Sequence, residues 1–208
     1  MTIAAVLCGI VTAQQDEDLA APRAQITAPV FAGPQDGPAD PVRAPRLDLL
    51  TSVRTPIHTA ADDPDGGAYG IWAGGATYKV SFHDGFRFVP YLGAGYPHTQ
   101  SFAWRTVAAT VGGAPLGALD RSTTRYGDHR FEYHWDALVE AYDVLVEGCE
   151  QTFVVAKRPA TAGDLVVTGK VETALRADLL VDRHAEIVFR DARGYAILHY
   201  GRAFAIDA

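Results

Sequence analysis

Asparagine is absent from this 208-residue chain, lysine occurs only at Lys79, Lys157 and Lys170, and serine occurs only four times. Each shortage closes a class of function. Without Asn there is no N-glycosylation sequon. None of the four serines sits in a G-x-S-x-G setting, which excludes the nucleophile elbow of that serine-hydrolase class. Lys and Arg together number 18 against 25 Asp and Glu, a formal net charge of -7, and they form no run. A nucleic-acid partner needs a basic face to neutralise phosphates, so none is expected, and an anionic membrane surface is disfavoured for the same reason. The chain also lacks an apolar run long enough to span a bilayer. Arg carries the positive charge that Lys does not, a bias that matches a GC-rich coding sequence better than a function.

Only two cysteines occur, Cys8 and Cys149. Cys8 lies within "MTIAAVLCGIVTAQQ", where Ile3 to Val11 is apolar and Val11-Thr12-Ala13 supplies the small or β-branched residues of a cleavage site. The segment reads as a secretory leader, residues 1–13, with cleavage before Gln14. No Lys or Arg precedes the apolar run, and the competing reading is a buried N-terminal strand, since short apolar runs suit both. Once the leader is removed, Cys149 has no partner for an internal disulfide. Glu147 and Glu150 flank it and disfavour a thiolate, so it reads as a small buried hydrophobe.

What is present is a body able to fold. Hydrophobic residues make up 48% of the chain, enough for a sizeable core and too many for a disordered protein. Residues 14–46 are dense in Pro, Ala, Asp and Gly, remove backbone donors, and read as an extended leader with a short edge strand at Ile26 to Phe31. From Leu47 to Ala208 short segments rich in β-branched and aromatic residues follow one another, each closed by Gly, Asp or Pro. Tyr78, Val80 and Phe82 alternate onto one face, and Phe86, Phe88 and Pro90 continue beyond a turn at His83-Asp84-Gly85. Asp84-Gly85 suits the two central positions of a type I′ hairpin, which need positive φ. "HWDALVEAYDVL" has room for one helical turn. The expectation is an all-β chain with little helix, an antiparallel β-sandwich of the large, supersandwich-like kind. "AFAIDA" ends the chain in strand-like sequence, so the domain reads as truncated at that end or closed by its last strand.

The nucleotide motifs fail on spacing. "GDLVVTGKV" has one residue too many between its glycines for a phosphate loop and Val171 where Ser or Thr is needed, so it reads as a strand. "GAGYPH" has His98 where a dinucleotide loop needs its third Gly. The expected cofactor is none. The one metal candidate is calcium at Asp63 and Asp65 in "DDPDGG", which offers hard oxygen donors but no closing Glu.

"RFEYHWDA" is the most site-like stretch. As a strand it sets Phe131, Tyr133 and Trp135 on one face and Arg130, Glu132, His134 and Asp136 on the other. Glu132, His134 and Asp136 are therefore candidate ligand-binding residues, joined by His83. Side chains two apart on a strand are about 7 Å apart, a spacing that flanks a sugar. An ordinary wet sheet face has the same alternation.

"VEAYDVLVEGCEQTFVV" followed by "RPATAGDLVVTGKVET", together with "IWAGGATYKVSFHDGFRFVPYLG", resembles a module of the N-terminal part of large secreted bacterial proteins. There a strand, a Gly turn, an E-Q-x-F strand and a G-D-L-V strand recur in a β-sandwich. The resemblance spans Ile71 to Tyr200. It implies that architecture and secretion, and it brings no catalytic residues. The function expected is a secreted, non-enzymatic β-sandwich module with an interaction or structural role, its partners carbohydrate or other domains of a longer chain. The alternative is the sandwich portion of a carbohydrate-active enzyme, for which Glu132, Asp136 and Glu140 are the carboxylates at hand.

Overall fold

The computed structural model describes residues 7–13, 53–59, 70–94, 96, 99–178, 186–201 and 203. Among them there is no helix, and every paired strand is antiparallel. In chain order the strands are β1 (Leu7–Ala13), β2 (Ile57–His58), β3 (Ile71–Gly74), β4 (Tyr78–His83), β5 (Gly85–Pro90), β6 (Phe102–Val111), β7 (Ala114–Pro115) and β8 (Thr123–Tyr126). They continue as β9 (Arg130–His134), β10 (Leu138–Val144), β11 (Cys149–Val155), β12 (Leu165–Thr173), β13 (Arg176–Ala177), β14 (Ile187–Arg190) and β15 (Ala196–Tyr200). One sheet has the order β13-β14-β15-β1-β11-β10-β9-β8. The other runs β12-β6-β5-β4-β3-β2, with β7 paired to β6.

The period-2 pattern explains why these segments are strands and which way they face. Tyr78, Val80 and Phe82 pair with Pro90, Phe88 and Phe86 across β4 and β5, and all six are buried. Phe131 and Tyr133 of β9 are buried as expected, while Arg130, Glu132 and His134 are partly exposed. In β12, Leu165, Val167 and Gly169 are the more covered set and Val166, Thr168 and Lys170 the exposed one.

Aromatic rings from the two sheets meet in one core. Phe82 stacks on Phe131 with centroids 4.5 Å apart, Phe86 lies against Tyr142, and Phe102 meets Phe189 edge-on. Each such ring removed from water stabilises the fold by about 1.5–3 kcal/mol.

Two local expectations need correction. His83 pairs with Gly85, so the hairpin reverses over Asp84 alone rather than over an Asp84-Gly85 pair. Gly85 has φ +98°, whereas no non-glycine residue among those described has positive φ, so Asp84 is not left-handed. Gly85 is required twice over, because a Cβ there would stand 2.0 Å from the Trp104 carbonyl oxygen of neighbouring β6. "HWDALVEAYDVL" makes no helical turn: Trp135–Ala137 connect β9 to β10 directly.

The apolar run expected as a leader is here strand β1, paired on one edge with β11 and on the other with β15. A leader and a buried strand both ask for a short apolar segment with β-branched residues, which is why one sequence serves both readings. The two exclude each other in one mature chain, since removal of residues 1–13 bares the facing edges of β11 and β15. The extended leader, the strand at Ile26 to Phe31, Asp63 and Asp65, and residues 204–208 lie outside the described residues.

Candidate functional site

The polar face of β9 is a chain of ion pairs. Glu132 accepts from Arg130 Nε at 2.7 Å through Oε1, and its Oε2 lies 2.7 Å from His134 Nε2. Arg130 also pairs with Asp143 of β10, which sits opposite it in register, and Arg54 reaches the same carboxylate at 3.6 Å. Partial burial works to raise the Glu132 carboxyl, but the hydrogen bonds from Arg130 and His134 outweigh it and hold the group below its ordinary range. Both Glu132 oxygens are thus engaged by cationic or donor neighbours.

The four residues expected to share a site do not converge. Asp136 is beyond the end of β9, in the connection to β10, with a 93% exposed side chain and Lys157 4.0 Å away. His83 is on the other sheet. Tyr133, which points to the core side of β9, hydrogen-bonds the carbonyl oxygens of His83 and Gly85. Glu132 and His134 point the opposite way, so the sheet separates them from His83. His83 instead borders a surface depression of about 270 Å³ shared with Asp84, Arg87, Arg105, Lys170 and Glu172. Its charges are largely matched, Arg105 with Asp84 at 3.0 Å and Lys170 with Glu172 at 2.7 Å.

The residue that sequence reasoning undervalued is Glu140. It is 1% exposed, on the same face of β10 as Leu138, Tyr142 and Val144. Its Oε1 accepts from the Tyr142 hydroxyl and from Gln151 Nε2, both at 2.5 Å. Gln151 in turn accepts from the Tyr200 hydroxyl, so β10, β11 and β15 share one buried polar chain. Oε2 has no hydrogen-bond partner among the described residues. Burial pushes the Glu140 carboxyl up. Tyr142, Thr106, Gln151 and Trp104 work against that shift without cancelling it. A buried carboxyl of raised proton affinity holds its proton to higher pH than an exposed one. The available signal was parity: Glu140 breaks an otherwise apolar face with Leu138, Tyr142 and Val144 two and four residues away.

Among the described residues no group of three or more His, Cys, Asp or Glu is arranged to hold a metal ion. No helix among them is long and apolar enough to cross a membrane, which says nothing of strands. Comparison with protein-family models, with curated proteins and with solved structures found no match for this chain.

Proposed function

We propose that this chain is a non-enzymatic β-sandwich module of a secreted, extracellular protein of bacterial type, with an interaction or structural role and carbohydrate as the partner. In this reading the two antiparallel sheets lie apolar face to apolar face, a packing supported by the rings of Phe82, Phe86 and Phe102 meeting Phe131, Tyr142 and Phe189. The observation that carries the non-enzymatic reading is the state of Glu132. Glycoside hydrolysis uses two carboxyl groups facing a sugar from opposite sides. Glu132 has one oxygen on Arg130 and the other on His134, and Asp136 stands apart in a turn. The resemblance of Ile71 to Tyr200 to modules of large secreted proteins supports the same reading.

A second reading, the sandwich portion of a carbohydrate-active enzyme, draws on Glu140, because a buried carboxyl with raised proton affinity is the acid such chemistry uses. Incubation with a panel of soluble and insoluble polysaccharides separates the two. Retention on a polysaccharide without release of reducing ends is the expected result. Release that disappears in Glu140→Gln would transfer the chain to the second reading.

A further inference from the structure

Each sheet ends in two edge strands, and among the described residues three of the four are short. β2 and β13 are two residues long and β8 is four. β12 is nine residues long, and it is bordered by β6 alone. A strand edge presents backbone N–H and C=O groups to any strand that arrives, and proteins blunt it with brevity, proline, a bulge or an inward charge. β12 contains no proline. The extra residue at its register shift is Val107, on β6, so β12 itself is not bulged. Leu165, Val167, Gly169, Val171 and Thr173, which share the covered parity, carry no charge. Val171 stands opposite Trp104 in register and is still 41% exposed, since no described strand lies on its far side.

The one guard on this edge is Lys170. A lone lysine on an edge repels a copy of itself. Glu172, on the same face of the strand, reverses that for one partner. Lys170 Nζ and Glu172 Oε1 are 2.7 Å apart, and both side chains are more than half exposed. The strand reads base then acid, and an antiparallel copy reads acid then base. About a two-fold axis through Val171, Lys170 comes opposite the partner's Glu172 and Glu172 opposite the partner's Lys170. Residues directly opposite have Cβ atoms about 4.5–5.5 Å apart, within reach of a cross-strand ion pair. Val171 then meets the partner's Val171 and loses its exposure. The neighbouring registers lack this match. An axis through Lys170 sets two ammonium groups opposite each other, and an axis through Gly169 sets Lys170 against Thr168 and Glu172 against Val166.

We propose that β12 is a self-recognition edge: two copies of this chain join antiparallel through Gly169–Thr173, about a two-fold axis at Val171, and extend one sheet into the next. The contact is isologous, so it closes at two copies and leads to no filament. An overlap of this length buries less than the roughly 1,200 Å² of a stable complex, so the dimer is weak and transient. The proposal does not depend on carbohydrate contact.

Sedimentation equilibrium of the full chain at fixed ionic strength, from about 10 μM to 1 mM, reads the association. The expected result is a monomer–dimer equilibrium for wild type. Lys170→Glu and Glu172→Lys each set like charges opposite across the axis and should each weaken it at least about fivefold. Mixed one to one, the two variants should regain wild-type association, because every opposite pair in the mixed dimer is again one acid and one base. That recovery separates pairing between chains from the pair within one chain. A wild type that stays monomeric throughout overturns the proposal and leaves the edge to a different partner. Variants that associate as wild type does overturn it, and so does a mixture that recovers nothing. Far-UV circular dichroism confirms that the variants fold. Should either fail, Val171→Glu, which sets two carboxylates on the axis, decides: loss of the dimer supports the proposal and retention overturns it.

Discussion

Tyr133 of β9 ties itself to Gly85 of β5 across the core: its hydroxyl donates to the Gly85 carbonyl oxygen at 2.7 Å and lies 3.2 Å from the Gly85 nitrogen, whose N–H donates back to it. One side chain thus satisfies the backbone of a turn on the opposite sheet. The hydroxyl is also 3.0 Å from the His83 carbonyl oxygen. The turn that carries His83 and Asp84 is therefore held in position from the far sheet.

Removing that hydroxyl strands buried backbone groups, a penalty of about 1–3 kcal/mol. Tyr133→Phe should lose stability within that range, and Tyr133→Ala about 3–5 kcal/mol, out of the about 5–15 kcal/mol typical of a domain. Chemical denaturation of both variants checks the order. A Tyr133→Phe variant as stable as wild type would show that the turn is positioned by something else.

Glu140 and Glu132 should act on stability in opposite directions with pH. The folded Glu140 carboxyl is raised above its ordinary value, so its contribution is present in acid and is lost as pH rises through the folded value. Glu132 is lowered, so its contribution is present at neutral pH and is lost as pH falls. Glu140→Gln should therefore melt higher than wild type once pH passes above the ordinary carboxyl range, and flatten the fall in stability that begins there. Glu132→Gln should flatten the acid side. Thermal melts between pH 4 and 9, at fixed ionic strength, read both; a Glu140→Gln variant that melts lower than wild type at pH 8 would contradict the assignment.

The wet face of β9 should be expendable for folding. Glu132→Gln and His134→Ala break partly exposed ion pairs, which are worth about 0–1 kcal/mol. Double-mutant cycles on the two residues should return a coupling within that range. A loss of several kcal/mol would mean that the face is covered by another part of the protein.

Cys149 should be inert in the native state. It is buried in β11, and burial first, then the Asp143 and Glu150 carboxylates, push its thiol well above the ordinary range. A thiol reagent should label it only at the rate of global unfolding, and fast labelling of folded protein would count against the fold as described.

Intact-mass measurement of the secreted protein should find a chain that begins near Gln14. Retention of Met1 would overturn the secretory reading and favour the alternative in which Leu7–Ala13 stays in the sheet as β1, between β11 and β15.

The alternation of "TYKVSFHDGFRFVP", of "RFEYH" and of "DLVVTGKVET" was legible in the chain alone, because side-chain facing in a strand repeats every two residues and is a local property. From it came the all-β class, the buried set Tyr78, Val80, Phe82, Phe86, Phe88, Phe131 and Tyr133, and the polar set Arg130, Glu132 and His134. The failure of the nucleotide motifs was legible for the same reason, being a matter of spacing. Only the tertiary structure decided how deep each face lies and which faces look at each other. Glu132 and Glu140 are both acids on strands, yet one rests on a wet sheet face between Arg130 and His134 and the other is sealed against Tyr142 and Gln151. His83 and Glu132, which sequence reasoning grouped, end on different sheets, while Asp84 and Arg105, far upstream in the chain, come to border one cavity with Trp135 and Glu140. Burial and convergence depend on pairings between residues far apart in sequence, and no two-residue period encodes them.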